Sequence, residues 1–201
     1  MKAADQTTDA RGHILNTAHG MMSGKGFTAV GLNELLLAAG VPKGSFYHYF
    51  KSKEAFGEEL LRTYFEAYLA GMDLVFAQTD ATGFDRLMAY WNKWLVTQVT
   101  HDPQSKCLVV KLAAEVADLS EGMRQVLLDG TTRIIQRLAG AIQHAIDDGS
   151  LVIDGNPQRL AEHLYQTWLG ASLLAKITRD DVPLKAAMAT TKTALRAAAA
   201  A

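Results

Sequence analysis

The chain has 201 residues, 49% of them apolar, with 20 Lys/Arg against 21 Asp/Glu and a formal net charge of −1. That is enough apolar material for one or two packed domains and too little net charge to announce a nucleic-acid partner from composition alone. One cysteine excludes an intrachain disulfide framework and a multi-cysteine metal site, and no apolar run reaches the ~18 residues of a membrane span.

The charge is uneven. Residues 1–53 hold six Lys/Arg (Lys2, Arg11, Lys25, Lys43, Lys51, Lys53) and three acids (Asp5, Asp9, Glu34), a net of +3, which leaves −4 for the remainder. A basic end on an acidic body concentrates an anionic partner at that end. The N-terminus lacks an apolar signal core, so a cytoplasmic location is expected. The six histidines are scattered without HxxxH spacing, and neither a metal nor a cofactor is expected.

In chain order, Asp9 or a neighbouring Thr is expected to cap a first helix carrying Ile14, Leu15, Ala18 and Met22 at helical spacing, stopped by residues 23–26 (SGKG). A short second helix carries Leu32, Leu35, Leu36 and Ala39 and ends at Gly40, where a tight turn needs a residue tolerant of unusual φ. Pro42 suits the first turn of a third helix. Within it Phe46 and Phe50 share one face, assigned to the core, while Lys43, Gly44, Tyr47 and His48 fall on the other. Ser52 reads as the N-cap of a long fourth helix running to about residue 78 with Phe56, Leu60, Tyr64 and Tyr68 on one row.

A fifth helix, 84 to about 100, carries Leu87, Tyr90, Trp91, Trp94 and Leu95 and is ended by HDPQS. A sixth, 105 to about 117, contains Cys107. Ser120 caps a seventh that runs to about 148, with Gly149 as its stop. Pro157 opens an eighth (Leu160, Leu164, Trp168, Leu169) and Pro183 an Ala-rich ninth. No strand run or repeat stands out, so the expected fold is all-α, about nine helices.

Two short amphipathic helices joined at a Gly turn fit a helix-turn-helix whose second helix enters the DNA major groove. Residues 26–56, GFTAVGLNELLLAAGVPKGSFYHYFKSKEAF, resemble the signature of the TetR/AcrR family of bacterial repressors, and the helix spacing resembles that family's layout over the whole chain. The resemblance implies a DNA-binding domain over 1–52, a sensor and dimerisation domain over 53–201, a homodimer formed mainly by the last two helices, and a palindromic double-stranded operator. Carried over by position, it places Lys43, Gly44, Ser45 and Tyr47 at base edges or adjoining backbone, and His48, Tyr49 and Lys53 at sugar and phosphate. The alternative for Tyr47 and Tyr49 is that they are half-buried packing aromatics. Where family members have Thr or Ser at the start of the second helix this chain has Val30 and Gly31, with Thr28 two residues earlier, so the phosphate contact there falls to Thr28 or the Gly31 amide.

Cys107 stands beside Lys106 and one turn from Lys111 near a helix start, a setting in which dipole and cations favour thiolate; the alternative is a small buried apolar residue. The runs FYHYFKSKEAFG, Cys107-Leu108-Val109 and Ala175-Lys176 look like those of the NemR/AcuR-like subgroup. That resemblance implies a sensor of electrophiles or oxidants at Cys107, with Lys176 as its neighbour; on its own Lys176 reads as a solvated charge at a helix C-terminus. A reversible organic ligand, such as an acrylate-like acid or a drug-like molecule, is the alternative inducer, with Trp168 the candidate lining residue among aromatics that otherwise read as core. A thiol enzyme using Cys107 is the rival of another class, opposed by the lack of a nearby His other than His101 and of an oxyanion Gly motif. No enzyme activity is expected.

Overall fold

The computed structural model describes residues 2–100 and 107–197, with side chains from residue 10 to residue 196. Among the described residues it contains nine helices, α1 (Lys2–Lys25), α2 (Leu32–Ala39), α3 (Lys43–Tyr49), α4 (Lys53–Phe76), α5 (Gly83–Val99), α6 (Leu108–Leu119), α7 (Glu121–Asp147), α8 (Pro157–Thr178) and α9 (Val182–Ala194). The all-α expectation holds, with one addition. Leu151–Val152 (β1) and Arg196–Ala197 (β2) form a two-residue antiparallel pair, too short to leave an alternating pattern in the sequence. None of the described helices is long and apolar enough to cross a membrane.

Caps and turns set the boundaries. Ser52, Thr82, Ser120 and Asn156 each accept the amide three residues on, at 3.1, 3.1, 3.3 and 3.2 Å. Gly40 closes α2 at φ 63 in a double-bonded C-cap, with Gly40 N–H donating to the Leu37 carbonyl and Val41 N–H to that of Leu36. Two expectations shift. Helix α1 starts at Lys2, before Asp9, since no Gly or Pro intervenes to stop it. Pro42 is the N-cap of α3 (φ −71, ψ 151) rather than its first residue, where its missing N–H is equally harmless. The expected HDPQS break and the Ser105–Lys106 start of the sixth helix lie outside the described residues.

Contacts divide the chain into two compact units, residues 1–66 with 102–130 and residues 67–101 with 131–201. These are units of packing, whereas the division expected at residue 52 is one of function. In the first unit Ile14, Leu15, Ala18 and Met22 of α1 are buried with Leu35, Leu36 and Ala39 of α2. Phe46, Phe50 and Phe56 form a triangle with centroid separations of 5.1, 5.3 and 4.9 Å. Helices α4 and α7 meet closely here, since a Cβ on Gly130 would come within 2.3 Å of the Phe65 ring.

The second unit is centred on aromatic rings. Tyr90, Trp91 and Trp94 of α5 pack with Tyr165 and Trp168 of α8, the Trp91 and Trp168 rings stacking at 5.2 Å and 16°. Two buried indoles are satisfied by hydroxyls: Trp94 donates to Ser172 at 3.1 Å and Trp168 to Thr191 on α9 at 2.9 Å. That is how these two large polar-edged rings enter a core without leaving their donors stranded.

Candidate nucleic-acid interface and thiol site

Helix α3 is seven residues long, and its two faces have opposite fates. Phe46 is 0% exposed and Phe50, at the C-cap, is 4% exposed. On the other side Lys43, Gly44, Tyr47 and His48 are exposed, Tyr47 at 51%, while Ser45 and Tyr49 are half-buried. The Tyr47 ring packs edge-on to Phe46 at 5.4 Å with the Lys43 ammonium 6.0 Å from its centroid, so the phenol is fixed at its base and open at its tip. Tyr49 lies 5.0 Å from His48 and 6.2 Å from Phe50, between the exposed and core faces. A Cβ on Gly44 would meet nothing within 4 Å. The protein itself does not require glycine there, whereas a close external partner would.

The turn between α1 and α2 is held from several sides. Lys53 donates its ammonium to the Val30 carbonyl at 2.8 Å and sits 4.9 Å from the Phe27 ring centroid. An ammonium has three hydrogens, so this bond leaves Lys53 donors for a phosphate. Gly31 is exposed, has open space at its missing Cβ, and is the N-cap of α2 without a side-chain cap bond. Thr28 differs from its sequence reading. Its amide donates to Glu115 Oε1 at 2.6 Å and its hydroxyl to the same carboxylate, so its single hydroxyl hydrogen is already committed. The Phe27 amide adds a bond to Glu115 Oε2 at 3.1 Å. Burial pushes the Glu115 carboxyl up, but the Thr28 hydroxyl, the Thr28 and Phe27 amides and the Lys111 charge together hold it below the usual carboxylate value.

Cys107 is the N-cap of α6, 7% exposed. The Tyr64 hydroxyl donates to its sulfur at 3.5 Å, and the Tyr64 ring lies 5.9 Å from that of His19. Lys106 and His101 lie outside the described residues; Lys111 is half-buried one turn along α6. Lys176 is exposed in the last turn of α8. Trp168 is fully buried, its indole N–H bonded and its face covered by Trp91.

The structure therefore gathers Lys43, Gly44, Ser45, Tyr47, His48 and Tyr49 on one short helix, and brings Thr28, Gly31 and Lys53 to the turn before its partner helix. Two participants escaped sequence reading. Tyr64 looked like one member of a core row, and Glu115 sits in LVVKLAAEVADL with no local signal that its partner is 87 residues away.

Residues 14–60 match the family profile described as bacterial regulatory proteins, tetR family, and residues 83–191 match the tetracyclin repressor-like C-terminal domain. The chain is 42% identical over 184 residues to the HTH-type transcriptional repressor NemR of Escherichia coli K12, covering 92% of each protein. It is 34% identical over 160 residues to the transcriptional regulator AcuR of Cereibacter sphaeroides, covering 80% of this chain and 73% of that one. The crystal structure of the reduced form of Escherichia coli NemR superposes with a TM-score of 0.90, covering 96% of this chain and all of that one. With both ends of the helix-turn-helix and the C-terminal helices accounted for, the chain belongs to the tetR family of bacterial regulatory proteins.

Proposed function

We propose that the protein is a transcriptional repressor that binds a palindromic operator as a homodimer and is released when an electrophile or oxidant reaches Cys107. The observation that carries DNA binding is the division of α3, with Phe46 and Phe50 anchored and Lys43, Gly44, Tyr47 and His48 turned outward. Lys43 donates to guanine acceptors, Gly44 permits close approach, and Ser45 and Tyr47 reach base edges or adjoining backbone. His48, Tyr49, Lys53 and the Gly31 amide serve sugar and phosphate. Two-fold symmetry then sets the recognition helices about 34 Å apart, one DNA turn. The site of action is cytoplasmic, where operator DNA is found, and no turnover chemistry is required of the thiol.

The sensing half rests on the Tyr64–Cys107 contact. The Tyr64 hydroxyl places a hydrogen-bond donor 3.5 Å from the Cys107 sulfur, in position to support a developing negative charge there during attack on an electrophile. Low exposure restricts access to small reagents. Moving occupancy from 99% to 1% takes about 5.5 kcal/mol of differential free energy, within the reach of a covalent bond. The amine expected to trap oxidised Cys107 is that of Lys176, and mass spectrometry of hypochlorite-treated protein reads such a link directly.

The test is operator binding of wild type and Cys107→Ser with and without a quinone. Release of wild type alone is expected; equal release of both rejects the thiol as the sensor. A second reading is favoured by the Trp91 indole N–H, which is buried with no acceptor among the described residues. A carboxylate or carbonyl ligand entering the cluster of Trp91 and Trp168 would supply that acceptor, and Cys107→Ser would keep its response to such a ligand.

A further inference from the structure

Helix α6 carries an acid that neither DNA contact nor thiol chemistry uses. Glu115 lies eight residues beyond Cys107, about 12 Å along the helix at 1.5 Å per residue. Its carboxylate accepts three hydrogen bonds from the turn that feeds the helix-turn-helix: the Phe27 amide at 3.1 Å, the Thr28 amide at 2.6 Å and the Thr28 hydroxyl. The preceding residue is a glycine, and both its backbone and this close approach favour one. Gly26 stands at φ 97, and a Cβ there would fall 2.9 Å from Glu115 Oε2.

The turn is gripped on its other flank as well. Lys25 pairs with Glu34, joining the end of α1 to the first turn of α2, and Lys53 holds the Val30 carbonyl at 2.8 Å. Both of those contacts come from the helix-turn-helix and the start of α4. Only Glu115, among these contacts, comes from α6. Charge-assisted bonds to a carboxylate are the strong class, and three on one turn fix its backbone rather than a single side chain.

We infer that Glu115 is a positioning residue for operator binding, a carboxylate on α6 that fixes the α1–α2 turn and so sets the direction in which α2 and α3 meet DNA. It need not touch DNA. Because Cys107 caps the same helix, an axial shift or a loosened first turn at Cys107 is delivered to residues 26–31 through this carboxylate. That second half rests on the sensor reading above; the first half does not.

The experiment compares wild type with Glu115→Ala, Glu115→Gln and the control Asp118→Ala, an exposed acid on the same helix. Three quantities are read: affinity for the specific operator, affinity for unrelated duplex, and amide hydrogen exchange at Phe27 and Thr28. For Glu115→Ala a loss of about tenfold to a hundredfold in specific affinity is expected, the effect of losing charged hydrogen bonds. Non-specific affinity should change less than about twofold, because Lys53 and the phosphate-facing groups of α3 remain. Exchange at the two amides should accelerate, with Glu115→Gln between Ala and wild type and Asp118→Ala unchanged.

Specific affinity within twofold of wild type overturns the inference, as does unchanged exchange at Phe27 and Thr28. An equal fall in both affinities also overturns it, since a merely structural residue would produce that. If Glu115→Ala fails to fold, Glu115→Gln and Thr28→Val carry the same readouts. Should wild type itself show no specific operator binding, the repressor reading fails, while exchange at the two amides still decides whether Glu115 fixes the turn. Should wild type bind but ignore the quinone, only the link to Cys107 falls.

Discussion

The molecule has two aromatic regions built from similar residues at similar helical spacing, and they are used in opposite ways. In α3 the rings alternate: Phe46 is sealed while Tyr47, its neighbour in sequence, is 51% exposed with a lysine beside it. In the cluster of α5 and α8 the tryptophan rings are turned inward, and Trp91 and Trp168 are both fully buried. The polar edges of Trp94 and Trp168 are answered by Ser172 and Thr191, leaving only the Trp91 N–H of the three without an acceptor among the described residues. An aromatic residue signals binding when its polar edge is left for a partner outside the protein, and packing when the protein supplies that partner itself.

Substitutions put this contrast to the test. The largest effect is expected from Trp168→Ala, which removes a ring stacked on Trp91 and bonded to Thr191 and should lower unfolding free energy by about 3–5 kcal/mol in a urea titration. Tyr47→Ala should leave stability within about 0.5 kcal/mol. Its operator affinity should fall by about 1–3 kcal/mol in a fluorescence-anisotropy titration, with little loss on unrelated DNA. If Tyr47→Ala instead unfolds the protein, the two aromatic regions are alike and the exposed face of α3 has no special standing.

Lys53→Ala should weaken specific and non-specific binding together and reduce the slope of log affinity against log salt by about one. An unchanged slope would mean that Lys53 acts only through the Val30 carbonyl.

Acid should separate the regions with the smallest effect. Glu115 is held below its ordinary value of 4.5, so the stability it contributes is fully present above that pH and is lost as pH falls through its lowered folded value. The bonds within the tryptophan cluster join neutral groups and do not titrate in that range. Exchange at Phe27 and Thr28 should therefore differ between wild type and Glu115→Gln at neutral pH and converge below pH 4.5.

Much of this was legible in the sequence because it is local. The core stripe of α2, the Gly40 turn, the faces of α3 and the caps Ser52 and Ser120 are each set by residues within a few positions, and the structure places them as read. The helical fold followed from 3.6-residue periodicity. What the sequence hid is non-local. The family resemblance points the Thr28 hydroxyl at a phosphate, and nothing near it in the sequence shows that Glu115, 87 residues away, accepts from it. The acceptor for the Trp168 N–H, Thr191, lies 23 residues on in the next helix, equally out of reach of local pattern. The two-residue strand pair is shorter than any periodicity can reveal.

The placement of the three tryptophans gives the protein a built-in optical probe. Trp91, Trp94 and Trp168 all sit in one cluster of the second unit, and the recognition helix contributes none. Intrinsic tryptophan emission is therefore blind to DNA docking as such. A change in that emission on adding operator would be a signal that had travelled from the first unit to the second, measurable without a label and on the same sample in which an inducer is later titrated.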